Sequence, residues 1–457
     1  MTGLTTGWVA RAMRGLGYEV HEGPGVPVTG GAADSRKVQP GNLFTAFPGE
    51  NTDGNLYVAD ALRNGAVAAI CERAPEGEWP DKTIVVVPDA TRAIGELAQA
   101  WRRHCNVPVV GITGTVGKTT AKELTAAALS ATFATHRSEG NLNSREGLPL
   151  ALLTLRPDHE VSVLEMGMDS VGEIARLCAI AEPRVGVVLN IGLTHAEKLG
   201  SVEAIANEKL SLPRALPPDG TAVLNFDDGR IAPVAAELRC RVIGFGRDEG
   251  AQLRVGDIRD HGLDGTEFEV TFGGKTVTVR SPLPGAHVVP AALTAIGVNL
   301  AFGVPLEDAA EAVRNAQVEG RLRRIRSVTG ATILDDRYNA SPASVAGALG
   351  LLARLPGRRI ALLGKMAELG EHAEPEHRRI GRIAAESVEV LVSFGELGRY
   401  IIDEAQEAGL DKACWFETKE AAAAAIRELL REGDTVLVKG SRSEALETVI
   451  PVLGGEA

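Results

Sequence analysis

The sequence predicts an α/β protein of three domains: a central P-loop parallel sheet flanked by a small N-terminal α/β domain and a C-terminal domain of Rossmann-like type. Three observations predict it. From about residue 106, short β-rich runs alternate with helix-length segments, the pattern of parallel strands joined by crossover helices. The stretch G-T-V-G-K-T-T at 114–120 lies between one such run and a helical segment. A second series of the same alternation begins at residue 331. Length agrees, since 457 residues at roughly 150 per domain suggest about three.

In chain order, 42–47, 66–71 and 83–87 read as strands of the N-terminal domain, assigned to 1–100, although this part is the least regular. The central domain, 101–317, has strands at 107–113, 161–167, 185–192 and 221–225, each followed by Gly, Asn or Asp before a helical stretch. Loops at those carboxyl ends are where such sheets bind ligands. The pattern then changes to strict alternation, Phe268, Val270 and Phe272 followed by Val277 and Val279, around Gly273 and Gly274. That reads as a β-hairpin appended to the sheet. Helices are expected near 290–302 and 306–316. The C-terminal domain, 318–457, has strands at 332–335, 359–363, 388–393 and 435–439, separated by Ala-rich helices.

Composition narrows the function. With 44% hydrophobic and 24% charged residues the chain is ordinary for a globular protein. Its formal charge of −12 argues against sequence-blind binding to nucleic acid or an anionic bilayer, so an anionic substrate needs a local basic pocket. No apolar run reaches the roughly 20 residues that span a bilayer, and the N-terminus lacks the pattern of a secretory signal. A cytoplasmic protein is expected. Cys71, Cys105, Cys178, Cys240 and Cys414 are scattered without C-x-x-C spacing, which predicts buried thiols rather than disulfides or zinc.

The strongest local signal is the phosphate loop. Gly114 and Gly117 let backbone N–H groups of Thr115 and its neighbours wrap phosphate oxygens at the start of a helix beginning near 121. Lys118 would reach the β- and γ-phosphates and Thr119 would offer its hydroxyl to Mg²⁺, with Thr120 beside it. The full G-x-x-x-x-G-K-[ST] spacing is not met, because Ile112 stands five positions before Gly117. No N-K-x-D guanine reader occurs, which weakens a GTPase switch. Strand 161–164 ends in Glu165, which completes a Mg²⁺ shell if the two strands are neighbours; a solvated loop carboxylate is the alternative. The next strand end carries His195, able to ligate a divalent cation. By pattern alone Lys209, in the helical stretch 201–212, reads as a solvated helix lysine.

Taken together the motifs resemble the Mur ligase family over essentially the whole chain. They are D-S-R-K-V-Q-P-G-N-L-F (34–44), G-E-N-T-D-G (49–54), the phosphate loop, E-G-N-L-N-S-R-E-G-L-P-L (139–150), L-E-M-G (164–167), N-I-G-L-T-H (190–195), V-L-N-F-D-D (223–228), E-G-R-L (319–322), D-D-R-Y-N-A-S-P (335–342) and V-K-G-S-R (438–442). The resemblance implies an ATP-dependent amide ligase of peptidoglycan precursor synthesis, hence of cell-wall biogenesis, cell shape and division. The D-x-Y-N-A-x-P and K-G-S-R motifs imply that it joins D-alanyl-D-alanine to the carboxylate of UDP-N-acetylmuramoyl-tripeptide through an acyl phosphate. It further implies a Lys209 carboxylated by CO₂ to a carbamate that helps His195 hold a second Mg²⁺, while Thr119 and Glu165 hold the first. Asn225 and Arg321 would contact ATP, and Asp336 would lie near the nucleotide. Ser35 and Arg36 would face the uridine diphosphate, and Asn141 and Asn143 the peptide, with turn and capping roles as the alternative for these four. A monomer is expected.

The chain departs from the family pattern at Val288 and Ala291, where amides are usual, at Ser144 and Ser341 in place of Asn, at Arg337 in place of Ser, and at Lys365 in place of Asp. Two rivals stand beside the main reading. One is a folylpolyglutamate-synthetase-like ligase, for which a UDP-type N-terminal domain is unexpected. The other is a non-catalytic nucleotide-binding scaffold, which has no need of a metal shell.

Overall fold

The computed structural model describes residues 3–49, 52–192, 199, 201–318, 323–367 and 369–455. Its strands form three sheets. The first has the order Glu19–His21, Thr83–Val86, Ala68–Cys71, Asn42–Thr45, Gly30–Ala32 and is parallel except for its first member. The polar E-V-H and G-G-A edge strands carry no apolar run, so the sequence pattern did not announce them. Helix Ala90–Cys105 leads out of this sheet, opened by Asp89, whose side chain accepts from the Arg92 N–H. Its buried Ala90, Ala93, Ile94, Leu97, Ala98 and Trp101 repeat at helical spacing and join the first sheet's core to the central one. The Trp101 indole N–H donates to the Leu155 carbonyl at 2.9 Å.

The central sheet has nine strands, in the order Lys275–Ser281, Thr266–Phe272, Leu253–Asp260, Arg241–Gly246, Thr221–Asn225, Val185–Val188, Val109–Thr113, Val161–Glu165, Thr135–Arg137. Strands between Leu253–Asp260 and Thr135–Arg137 run parallel. Val109–Thr113 and Val161–Glu165 are buried at every position, which is why they read as unbroken apolar runs. The expected hairpin is present, and it docks antiparallel on Leu253–Asp260. Helices Val289–Ala301 and Leu306–Asn315 follow.

The third sheet has the order Arg323–Arg326, Thr332–Asp335, Thr435–Lys439, Arg359–Leu363, Val390–Phe394, Ala413–Phe416 and is parallel apart from its first strand. One expectation from composition needs correction. Cys71, Cys105, Cys178 and Cys240 are buried, but Cys414 is exposed, because it sits on the edge strand with its side chain away from the core. Among the described residues no helix is long and apolar enough to cross a membrane.

Candidate active site

The central sheet places the phosphate loop between two buried strand ends. Helix Lys118–Leu129 starts directly after Gly117, three residues earlier than expected, because Gly117 takes the left-handed φ of +84° that turns the chain into the helix. A β-carbon at Gly114 would come within 2.9 Å of Leu189 Cβ, so this position too needs glycine. The loop is pinned to the segment after Val185–Val188. The Thr115 N–H donates to the Asn190 carbonyl at 3.0 Å, the Val116 N–H to Asn190 Oδ1 at 2.8 Å, and the Gly192 N–H to Thr115 Oγ1 at 2.8 Å. What remains is the helix N-terminus, whose first N–H groups have no partner within the helix and whose dipole adds positive field. Thr120 lies half-buried in that first turn.

Register then brings the carboxylate in. Ile112 pairs with Glu165 across the two parallel strands, so Glu165 ends its strand beside the loop. It is 3% exposed. The Thr119 hydroxyl donates to Glu165 Oε2 at 2.8 Å and Asn143 Nδ2 donates to Oε1 at 2.7 Å. A hydroxyl and a carboxylate in contact at a helix N-terminus are hard oxygen ligands of the kind Mg²⁺ takes alongside substrate phosphates. Among the described residues no three His, Cys, Asp or Glu side chains gather as a ready-made metal cage.

Lys209 completes the cluster. The pattern reading as a solvated lysine is overturned, since the side chain is 1% exposed. It lies on helix Val202–Arg214, four residues after buried Ile205 and three before buried Leu212, and therefore on the face that packs against the sheet. Its Nζ donates to the Gly114 carbonyl oxygen at 3.1 Å, the same atom that accepts from Lys118 Nζ at 2.8 Å. Burial, and then the neighbouring Lys118, push the Lys209 amine well below its ordinary pKa.

The remaining candidates are distributed over the three sheets. Asn225 ends strand Thr221–Asn225, 9% exposed, with its amide donating to the Leu189 carbonyl at 2.8 Å, so it faces the strand end next to the loop. Asn141 is exposed on the segment that carries Asn143. Ser35 and Arg36 lie in a 3₁₀ turn of the first sheet, where Asp34 caps the turn and binds the Arg36 guanidinium at 2.9 and 2.8 Å. Asp336 follows Thr332–Asp335 in the third sheet and is paired with buried Lys439 at 2.5 Å. Lys365 pairs with Glu444 at 3.1 Å, and Arg337 lies 3.3 Å from Asp335. Val288 and Ala291 are buried in the apolar core of the central sheet. His195 and Arg321 lie outside the described residues. The loop thus gathers Lys118, Thr119, Glu165 and Lys209, with Asn143 added to them, whereas Ser35, Arg36 and Asp336 belong to other sheets. Sequence reasoning had placed Asn143 along the peptide and had passed over Ser138, whose hydroxyl accepts from the Glu165 N–H at 3.3 Å.

Comparison with known proteins agrees with this layout. Family models of the Mur ligase family catalytic domain, the Mur ligase middle domain and the Mur ligase glutamate ligase domain match residues 27–102, 112–299 and 320–442. A UDP-N-acetylmuramoyl-tripeptide–D-alanyl-D-alanine ligase of Bacillus subtilis is 33% identical over 428 residues, covering 93% of this chain and 92% of its own. The chain belongs to the Mur ligase family. This Mur ligase is also similar in structure to MurF of Acinetobacter baumannii, with a TM-score of 0.87 at 29% identity over 99% of both chains. MurF of Thermotoga maritima, solved in complex with ADP, gives a TM-score of 0.76 at 29% identity, covering 93% of the Mur ligase and 97% of the relative.

Proposed function

We propose that the chain is an ATP-dependent ligase that joins D-alanyl-D-alanine to the terminal carboxylate of UDP-N-acetylmuramoyl-tripeptide, a step of peptidoglycan precursor synthesis. The observation that carries the reading is the cluster at the phosphate loop: Lys118, Thr119, Glu165 and Lys209 converge on one helix N-terminus in a Mur ligase similar along nearly its whole length to UDP-N-acetylmuramoyl-tripeptide–D-alanyl-D-alanine ligases.

A carboxylate condenses with an amine only after it gains a leaving group: the tripeptide carboxylate takes the γ-phosphoryl group of ATP and releases ADP, and the D-alanyl-D-alanine amine then attacks the acyl carbon and displaces phosphate. Because the Thr115 and Val116 N–H groups are taken by Asn190, the N–H groups of the helix's first turn, with Lys118, hold the phosphates and offset charge on the transferring group. Thr119 and Glu165 supply oxygen ligands for one Mg²⁺, which neutralises phosphate charge when bound. Lys209 suits carbamate formation, because CO₂ reacts with a neutral amine and burial shifts this amine toward its neutral form. The carbamate, with His195, would hold a second Mg²⁺. Asn225 and Arg321 would contact the nucleotide, Asp336 would approach it from the third sheet, Ser35 and Arg36 would meet the uridine diphosphate, and Asn141 and Asn143 would line the peptide. The corresponding division is 1–100 for the UDP substrate, 101–317 for ATP and 318–457 for closure over both.

One assay separates this reading from its rivals: phosphate release from ATP with UDP-N-acetylmuramoyl-tripeptide, with and without D-alanyl-D-alanine. The expected result is release that depends on both. Release with a folate acceptor instead, or nucleotide binding without turnover, would replace it.

A further inference from the structure

Lys122 lies one turn beyond Lys118 on the phosphate-loop helix and is 0% exposed. A buried ammonium is costly unless each N–H meets an acceptor. Among the described residues Lys122 Nζ donates to the carbonyls of Ser138 at 2.6 Å and Gly140 at 3.3 Å, and forms an ion pair with Glu123 Oε1 at 2.8 Å. Arg137 holds the second Glu123 oxygen at 3.0 Å.

The segment so tethered reaches Glu165 at both ends. Ser138 Oγ accepts from the Glu165 N–H, and Asn143 Nδ2 donates to Glu165 Oε1. Asn143 is itself boxed in, because its carbonyl accepts from the Gly167 N–H at 2.8 Å and a β-carbon at Gly167 would come within 3.0 Å of Asn143 Cγ. Between these ends Glu139, Gly140 and Asn141 are exposed, so the carbonyls bound by Lys122 are what fasten the middle of the segment to the helix.

We propose that Lys122 is a positioning residue for the metal-holding carboxylate: by clamping 138–140 to the phosphate-loop helix it fixes Asn143 and Ser138 on Glu165 and leaves the second oxygen aimed at Thr119. A replacement of similar shape without charge packs as well or better in such a place, so what the lysine contributes is its three-point grip. The proposal rests on the reading of Glu165 as a Mg²⁺ ligand.

The test uses the full chain with ADP. In Lys122→Met, hydrogen exchange at 138–143, Glu165 and Gly167 should accelerate by about tenfold or more in the ligand-free protein. The Mg²⁺ concentration that half-saturates the ADP complex should rise by about 10- to 100-fold, the usual effect of losing an outer contact to a metal ligand, while ADP affinity in EDTA stays unchanged. Lys122→Arg should restore part of both. If Lys122→Met does not fold, the double change Lys122→Met with Glu123→Gln removes the charged pair together and carries the same expectation. Glu165→Gln is the control. Should it shift the Mg²⁺ requirement while the folded Lys122 variants keep native exchange and native Mg²⁺ dependence, the positioning role is overturned. Should Glu165→Gln leave the requirement unaltered, the ligand reading of Glu165 falls first, and the proposal with it.

Discussion

Replacing Lys209 by methionine separates chemistry from packing. Among the described residues the lysine makes one hydrogen bond, to the Gly114 carbonyl, in a buried setting that already holds Lys118. Losing that bond costs about 1 kcal/mol, and removing a buried amine beside a cation returns part of it, so stability should change by about 1 kcal/mol or less. Turnover is another matter. An amine of ordinary pKa is neutral in roughly one molecule in 10³ near neutral pH, and each unit of lowering raises that fraction tenfold. Lys209 is pushed well below its ordinary value, which favours the CO₂-reactive form. If the carbamate holds a metal, Lys209→Met should lose about 10²–10³ in rate, the usual effect of removing one well-placed electrostatic contact. Lys209→Ala should recover part of it with added formate or acetate, whose carboxylate can fill the carbamate's place. The assay is phosphate release, with thermal unfolding run alongside and mass spectrometry of CO₂-saturated protein. Wild-type turnover in a folded Lys209→Met, or plain lysine in the mass spectrum together with no rescue, would refute the reasoning.

Three further outcomes are expected. Lys118→Ala should abolish most turnover while unfolding as the wild type does, measured by phosphate release and calorimetry. Burial holds the His136 imidazole neutral, its pKa pushed down to about 3; below about pH 6.5 the unfolded chain takes up a proton that the folded one refuses, so stability falls by about 1.4 kcal/mol per pH unit as pH drops from there toward 3. His136→Gln should flatten the dependence on pH of the stability measured by urea unfolding over that window, and equal pH dependence in the two proteins would contradict it. Asp336→Asn removes the carboxylate that pairs with buried Lys439 and should cost about 3–5 kcal/mol, whereas Asp336→Leu with Lys439→Met should cost much less, read by denaturant unfolding.

The sequence revealed most of what is locally encoded. The loop announced itself because glycine, lysine and threonine must be adjacent there, and Glu165 because its strand is an apolar run that stops on a carboxylate. Strands 221–225, 332–335, 359–363 and 435–439 coincide with the observed ones because each carries a buried apolar run. The misses are edge strands, long-range partners and the inner strand Arg241–Gly246, whose two glycines interrupt its apolar run. T-H-R at 135–137 and R-R-I-R at 323–326 are edge strands that each bury a single residue, His136 and Ile325, so no apolar run marks them and only pairing defines them. Lys209 could have been placed by its i−4 and i+3 neighbours Ile205 and Leu212, but a charged residue at that position argued for the opposite face. Lys122 carried no local signal at all, since its acceptors Ser138 and Gly140 lie on another segment.

The most direct test is a crystal structure with a non-hydrolysable ATP analogue and Mg²⁺. The account predicts Lys118 on the phosphates and a cation about 2.1 Å from both Thr119 Oγ1 and a Glu165 oxygen, with density for a carbamate on Lys209 facing a second ion. A triphosphate bound elsewhere, or a cation that touches neither Thr119 nor Glu165, would contradict it.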